Sequence, residues 1–295
     1  MLQGVSRTIE SIAGNEVNQM IGDLHCHTKI SDGSMGIEDV ISYAKRVGIS
    51  FLSITDHDTM SGVMRAKVLG KRYGIEVVPG CELSSVDPDT GRKIHILCYL
   101  PTFPERLEHL FVKIQEERTQ AGSEMLKKVM RLYPVTLEHV LRYTSGSKVV
   151  YKAHIMNALM DLGFCAEVYG DLFDTLFSPE HGTCFVDLTR PSVYEVIDLI
   201  HEAEGIAVLA HPPIYDSMEF MEKAAQQHLI DGVELWHPEI EQSDGEKIAE
   251  TAKEYGLLVT GGSDFHGKYR SRPTPIGSCT TPEYALDALL AYKGK

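Results

Sequence analysis

Polar and apolar positions along this chain switch repeatedly between two periods. Ile37, Val40, Ile41, Ala44 and Val47 recur at helical spacing after Ser34, a suitable N-cap, and Gly48 ends the run. Residues 49–55 follow as a nearly continuous apolar stretch, the mark of a strand buried on both faces. A second helix is predicted over 61–73, stopped by Gly74, and a third strand over 76–78. With the strand that carries Asp23-Leu24-His25-Cys26-His27, this is β-α-β-α-β, which calls for a parallel sheet with right-handed crossovers. Residues 83–86 and 93–100 flank the turn-rich Asp87-Pro88-Asp89-Thr90-Gly91 and predict a hairpin.

Residues 104–182 break this rhythm. A long helix over 106–132, with Glu, Lys and Arg on one face, precedes shorter helices over 136–142 and 152–162 and an irregular stretch over 171–182. We expect a helical insertion over the mouth of an α/β domain built from 1–103 and 183–295. Alternation then resumes, with helices over 192–204 (Ser192 as N-cap), 217–228, 245–255 and 282–292. Strands over 206–210, 232–236 and 257–261 lie between them. About seven strands fit a closed or nearly closed β/α barrel better than an open sheet. No Gly-x-Gly-x-x-Gly turn supports the open dinucleotide-binding alternative.

Composition narrows the class. With 295 residues, 43% hydrophobic and 24% charged, this is an ordinary globular chain with no run of about 18 apolar residues to span a membrane. Six scattered cysteines without a C-x-x-C pair suggest reduced thiols in a cytoplasmic protein, and the first twenty residues lack a signal-type apolar core. A net charge of −14 argues against a surface for long duplex nucleic acid, yet leaves room for a small anionic substrate beside bound cations.

The candidate chemistry sits at strand ends. His25 and His27, one residue apart on a strand, point to the same side, and the short polar run 28–33 can bring Asp32 to them. Asp56-His57-Asp58 follows the second strand, and Glu82 follows the third after Pro79-Gly80-Cys81. His95 lies on the return arm of the hairpin, His211 ends strand 206–210, and Asp264 and His266 follow the last strand after Gly261-Gly262. In a β/α barrel such ends converge on one face. Taken singly, Asp56-His57-Asp58 reads equally well as a capping turn, Glu82 as a surface charge and His211 as a plain strand end. Six separated places would have to be bland together. Imidazole with carboxylate suits Zn²⁺, Mn²⁺ or Fe²⁺, and nine ligands are comfortable for three ions. Three divalent ions against the three carboxylates Asp32, Glu82 and Asp264 leave about +3, a centre that wants a phosphate.

These motifs, together with Ser31-Asp32-Gly33, His95-Ile96-Leu97, Ala210-His211-Pro212 and Ser263-Asp264-Phe265-His266-Gly267, resemble the PHP (polymerase and histidinol phosphatase) superfamily of metal-dependent enzymes. The resemblance spans almost the whole chain outside the insertion. It implies a distorted (β/α)₇ TIM-like barrel with a trinuclear metal centre. By position, His25, His27, Glu82 and Asp264 would hold one ion, and Glu82 would bridge to a second held by His95 and His211. Asp32, His57 and His266 would hold the third. The stand-alone members with a helical insertion act on nucleoside 3′,5′-bisphosphates or on the 5′ ends of short RNA. Their insertion typically carries an Arg-Pro-His-x-Ala helix start that meets the substrate phosphate; here the matching stretch is Tyr151-Lys152-Ala153-His154-Ile155-Met156, with lysine in place of arginine. Lysine is a point charge and not a bidentate fork.

The expectation is therefore a phosphoesterase in which a metal-bridging hydroxide attacks phosphorus, with no protein nucleophile. Lys152, His154, Lys268 and Arg270 are candidate contacts for a small phosphorylated, nucleotide-like substrate. Asp56 and Asp58 are candidates to orient ligand histidines. His109, His139, His181, His201, His228 and His237 read as structural, and Cys26 and Cys81 as core. The rivals are a histidinol-phosphate-type phosphatase, a catalytically inert metal-binding module and an amide hydrolase on the same scaffold.

Overall fold

The computed structural model describes residues 21–269, 272 and 274–294. The first strands come where the apolar runs place them: β1 Gly22–Cys26, β2 Phe51–Ile54 and β3 Glu76–Val77 form a parallel three-stranded sheet. Helices α1 (Ile37–Arg46) and α2 (Val63–Tyr73) make the crossovers and bury Val40, Ile41, Ala44, Ala66 and Leu69 with Leu52 and Ile54. Gly74 ends α2 with a left-handed φ of 71°, a conformation glycine adopts without a Cβ penalty. Ser34 is not the N-cap of α1. Gly36 holds that place, its N–H donating to Asp39, while the Ser34 hydroxyl accepts from Lys268 N.

A second, five-stranded sheet runs β4 (Gly80–Val86), β5 (Lys93–Tyr99), β6 (Ile206–Leu209), β7 (Gly232–Trp236) and β8 (Leu258–Gly261). The β4–β5 hairpin and the β5–β6 pair are antiparallel, and the other two pairs are parallel. The strands thus make two sheets and do not close into one barrel. The break after β3 has a local cause: that strand is two residues long, and Pro79, which follows it, has no N–H for a ladder. Single bridges stitch both seams at the strand ends, His57 to Glu82 on one side and Cys26 to Phe265 on the other. At the second seam a Cβ on Gly262 would collide with the His25 backbone, so glycine permits the close approach.

Between β5 and β6 lie α3 (Glu108–Leu132), α4 (Leu137–Leu141), α5 (Lys152–Asp161), α6 (Asp171–Phe177) and α7 (Val193–Glu202). The stretch expected to be irregular is partly helical, because Leu176 and Phe177 bury on one side of α6. Met125, Val129, Ile155, Leu159 and Phe177 share one apolar cluster, separate from the cluster of β4–β7 with α7 and α8 (Met218–Gln226). α9 (Gln242–Tyr255) and α10 (Glu283–Ala291) cover the last strands. No helix among the described residues is long and apolar enough to cross a membrane.

Candidate metal centre

The nine strand-end side chains are brought together. Four overlapping groups have mutually close donor atoms: His27, Asp32, His57 and His266; His25, His27 and Asp264; His25, Glu82 and His211; and His57, Glu82 and His95. Glu82, which follows β3 as the third residue of β4, is the hub. Its Oε1 is 2.7 Å from His95 Nδ1 and 3.0 Å from His211 Nε2, and its Oε2 is 3.2 Å from the Nε2 atoms of both His25 and His27. His27 Nε2 is also 3.2 Å from Asp264 Oδ1. A tetrahedral ion with bonds of about 2.0–2.1 Å spaces its ligand atoms about 3.3 Å apart. These separations match such edges.

Buried donors without partners point the same way. His25 Nε2, both ring nitrogens of His27, His57 Nδ1 and Asp32 Oδ1 are buried and make no hydrogen bond. Leaving a polar atom so costs about 1–3 kcal/mol. Divalent cations would satisfy His25 Nε2, one nitrogen of His27, His57 Nδ1 and Asp32 Oδ1, and the donor set fits such ions. His211 and Asp264 also stand at positive φ, 27° and 48°, local strain of the kind that persists where surrounding structure enforces it.

Two further residues complete the inner part, one without a motif in the sequence and the other expected to be structural. Glu234, fully buried on β7, accepts from His25 Nδ1 at 2.9 Å and from His211 N at 3.0 Å. It thereby turns His25 Nε2 toward Glu82 and Asp264. His237, read as structural, accepts at Nδ1 from Glu239 N, so its Nε2–H donates to Asp264 Oδ2 at 3.2 Å. A glutamate within the otherwise apolar strand 232–236 was the available signal for the first. Asp23 is another buried carboxylate; it accepts from Ser263 N and Gly277 N and ties β1 to the segments that follow β8.

The outer part rests on loops. His266 donates Nδ1–H to the Asp264 carbonyl, leaving Nε2 3.3 Å from Asp32 Oδ1, and His57 Nε2 is 3.7 Å from Asp32 Oδ2. Asp56 and Asp58 do not orient these histidines by hydrogen bonds. Asp56 accepts from Thr28 N, Thr28 Oγ1 and Ser31 Oγ, shaping the loop that delivers Asp32, and Asp58 accepts from Ser84 N and Arg118.

Charge is distributed unevenly. Burial lowers His25, but the Glu234 and Glu82 carboxylates outweigh it and raise the ring to about 10. Burial alone would raise Glu82; His95, His57 and His25 hold it well below the usual range instead. Glu234 is held at about 2 by His25 against burial. Burial dominates at His57 and pushes it down to about 3.

A cavity of about 250 Å³ opens over the cluster and is walled by Tyr169, Tyr215 and Tyr269. An adjoining one of about 190 Å³ shares Asp32, His57 and His95 with it and is lined by Lys152. Lys152 Nζ is 3.3 Å from Phe177 O and 4.7 Å from the Phe185 ring centre. His154 is fully buried at the start of α5, with Nδ1 accepting from Tyr151 N and Nε2 unpartnered, and it lines neither cavity. Lys268 is exposed, its ammonium over the Tyr269 ring, and Arg270 lies outside the described residues. His139, His181 and His201 have local partners in Thr136, Asp174 and Asp231, as expected of structural residues.

The family model described as PHP domain matches residues 23–203. A phosphoribosyl 1,2-cyclic phosphate 1,2-diphosphodiesterase from Eggerthella lenta is 35% identical over 256 residues, covering 86% of this chain and 97% of that protein. The 5′-3′ exoribonuclease Rnm of Salmonella typhimurium is 30% identical, with 84% of this chain and 85% of the relative aligned. Among solved structures, a protein from Bifidobacterium adolescentis assigned as a metal-dependent phosphoesterase superposes with a TM-score of 0.83 at 27% identity, over 93% of this chain and 96% of its own. With a family match over more than half its length and relatives aligned nearly end to end, the chain belongs to the PHP domain family.

Proposed function

We propose that this chain is a divalent-metal-dependent hydrolase of phosphate esters on small, nucleotide-like substrates. The observation that carries the reading is the set of buried, unpartnered ring nitrogens of His25, His27 and His57 facing the Glu82 and Asp264 carboxylates at ligand-edge distances. The nine donors suit three ions of the Mn²⁺, Zn²⁺ or Fe²⁺ type. Bound ions supply Lewis-acid charge for phosphoryl oxygens and lower the pKa of a water.

The rest is work for the chain's own side chains. Glu82 joins the two halves of the cluster, Glu234 fixes the His25 tautomer, and His237 fixes the Asp264 carboxylate. Lys152, at the start of α5, offers a cation to a substrate phosphate from the adjoining cavity. On this reading residues 104–182 are a cap over the site, and the three tyrosines of the wall offer ring faces and hydroxyls to a ribose or base. Six free cysteines favour the cytoplasm. The names of the relatives, a cyclic-phosphate diesterase and an exoribonuclease, favour a phosphate carried on ribose.

The test is hydrolysis by metal-loaded protein, with the products resolved by chromatography, of adenosine 3′,5′-bisphosphate, a short 5′-phosphorylated RNA, a ribose 1,2-cyclic phosphate and histidinol phosphate. Turnover of a ribose-borne phosphate, abolished by chelator and restored by Mn²⁺ or Zn²⁺, is expected. Turnover of histidinol phosphate alone would replace the substrate class, and turnover of none would end the proposal.

A further inference from the structure

The segment that carries His57 is fastened from two sides, and one of them is the long helix α3. Asp58, the next residue, stands at a positive φ of 54°, a conformation that L-residues adopt at a cost and keep where neighbours enforce it. Each of its polar groups has a partner. The N–H donates to Glu82 O at 2.8 Å and Oδ1 accepts from Ser84 N at 2.8 Å, both on β4. The carbonyl accepts from Gln115 Nε2 at 3.1 Å, and Oδ2 accepts from Arg118 Nε at 2.9 Å and Nη2 at 2.7 Å, both on α3. Gln115 and Arg118 are three residues apart and so share one face of that helix. Arg118 Nη2 also donates to the Ser84 hydroxyl at 2.6 Å, and the guanidinium lies 5.3 Å from the centre of the Tyr151 ring, just before α5.

This grip bears on the cluster because His57 and Glu82 meet twice. Their main chains form the bridge between the two sheets, and His57 Nδ1 is 3.3 Å from Glu82 Oε2. The bridge has two hydrogen bonds: Asp58 N to Glu82 O at 2.8 Å and Glu82 N to Asp56 O at 3.4 Å. Asp58 thus supplies the shorter one. It does not touch the His57 ring; it fixes the backbone from which the ring extends. Asp58 is fully buried and the Arg118 side chain only 15% exposed, so water screens their attraction little, and losing either charge leaves the other without its partner.

We propose that Gln115 and Arg118 are positioning residues: through Asp58 they hold the His57 backbone against Glu82, so the outer part of the cluster is complete only while α3 is seated on β4. Binding of an ion there and docking of α3 then stabilise each other. This rests on the metal-centre reading above, and it gives the helix between β5 and β6 a role in assembling the centre as well as in covering it.

Arg118→Gln, Arg118→Lys and Gln115→Ala test it in the full-length protein, by Mn²⁺ titration and hydrogen–deuterium exchange. In wild type, Mn²⁺ slows exchange in residues 108–132 as well as around His57, since a helix that helps an ion bind is held by it in turn. In Arg118→Gln that response of α3 is lost, and one class of bound Mn²⁺ binds about tenfold more weakly. On the ester of the set above that wild type hydrolyses, kcat falls at limiting Mn²⁺ and returns with excess Mn²⁺, while KM stays unchanged. Arg118→Lys, which keeps the charge but not the paired contact, recovers part of the loss. Gln115→Ala leaves no charge unpaired; its smaller loss of the same kind keeps the test valid if Arg118→Gln does not fold. A wild type whose α3 ignores Mn²⁺, or variants with unchanged affinity and exchange, would overturn the proposal. So would a raised KM at normal metal content, since Arg118 would then be a substrate contact. If no ester is turned over, the phosphoesterase reading fails, and metal affinity and exchange still decide the positioning role. If wild type takes up no divalent ion, exchange of residues 56–60 in the metal-free protein decides it. Exchange about tenfold faster in Arg118→Gln upholds the hold on the His57 segment, and equal exchange sinks it.

Discussion

The two halves of the ligand cluster share Glu82 and are otherwise built on opposite plans. The inner half, His25, His211 and Asp264, is buried, and buried neighbours hold its side chains in place: Glu234 grips His25 and His211 N, and His237 grips Asp264. The outer half, Asp32, His57 and His266, sits on connecting loops, and the Asp32 side chain is 17% exposed. Protons follow the same division. His25 is raised to about 10 by two carboxylates and so holds a second proton at neutral pH until a cation displaces it. His57 is pushed to about 3 by burial and is already neutral there. A histidine that holds a second proton and one that does not lie a few ångströms apart, so a cation approaching His25 meets a competitor that one approaching His57 does not.

The hub should break both halves at once. Glu82→Gln removes the carboxylate that, alone among the described residues, lies near His25, His27, His57, His95 and His211 together, and activity should fall roughly 10³-fold or more. Metal content by mass spectrometry should fall with it, and normal metal content would contradict its place in the centre. Glu234→Gln strikes the inner half alone. It touches no substrate, so kcat should drop about 10–100-fold with little change in KM, while Asp32→Asn should cost the outer ion and leave the inner ligands loaded. Equal metal loss in the two variants would erase the distinction between the halves.

Competition with a chromophoric chelator sharpens the contrast further. Because the His25 proton must leave, inner-site affinity should fall about tenfold for each pH unit below 8, whereas His57, already neutral there, adds no such slope to the outer site. Asp32→Asn isolates the inner slope, and a flat profile in that variant would refute the assignment. The smallest expected effect is at Lys152. Its charge is present below about 8 and lost above it, so KM for a phosphate ester should rise a few-fold between pH 7 and 9. Lys152→Arg, which keeps its charge at every accessible pH, should flatten that rise.

How much of this was written in one dimension differs between the halves too. His25, His27, Asp264 and His266 announce themselves as short motifs at strand ends, where alternation fixes which way each side chain points. Glu234 and His237 do not. Glu234 is one glutamate in one strand, and its partner His25 lies 209 residues away, so its meaning exists only once β1 and β7 face each other. Asp56 and Asp58 show the converse: flanking a ligand histidine, they read as its orienters, yet their hydrogen bonds go to the Thr28–Ser31 loop and to Arg118.

Local pattern determined the succession of strands and helices, the hairpin around residues 87–91 and the identity of the metal-capable residues, because hydrophobic period and turn chemistry act over a few residues. The sheet arrangement was decided in three dimensions. The expected closed or nearly closed barrel of about seven strands became two sheets, one mixed, because β3 is only two residues long and Pro79, before β4, has no N–H to extend a ladder. The same tertiary meeting of β4, β5 and the 187–192 segment brought Lys93 and Arg190 to the wall of one cavity. Neither residue carries a motif, since a pocket's charge is a sum over neighbours that only folding assembles.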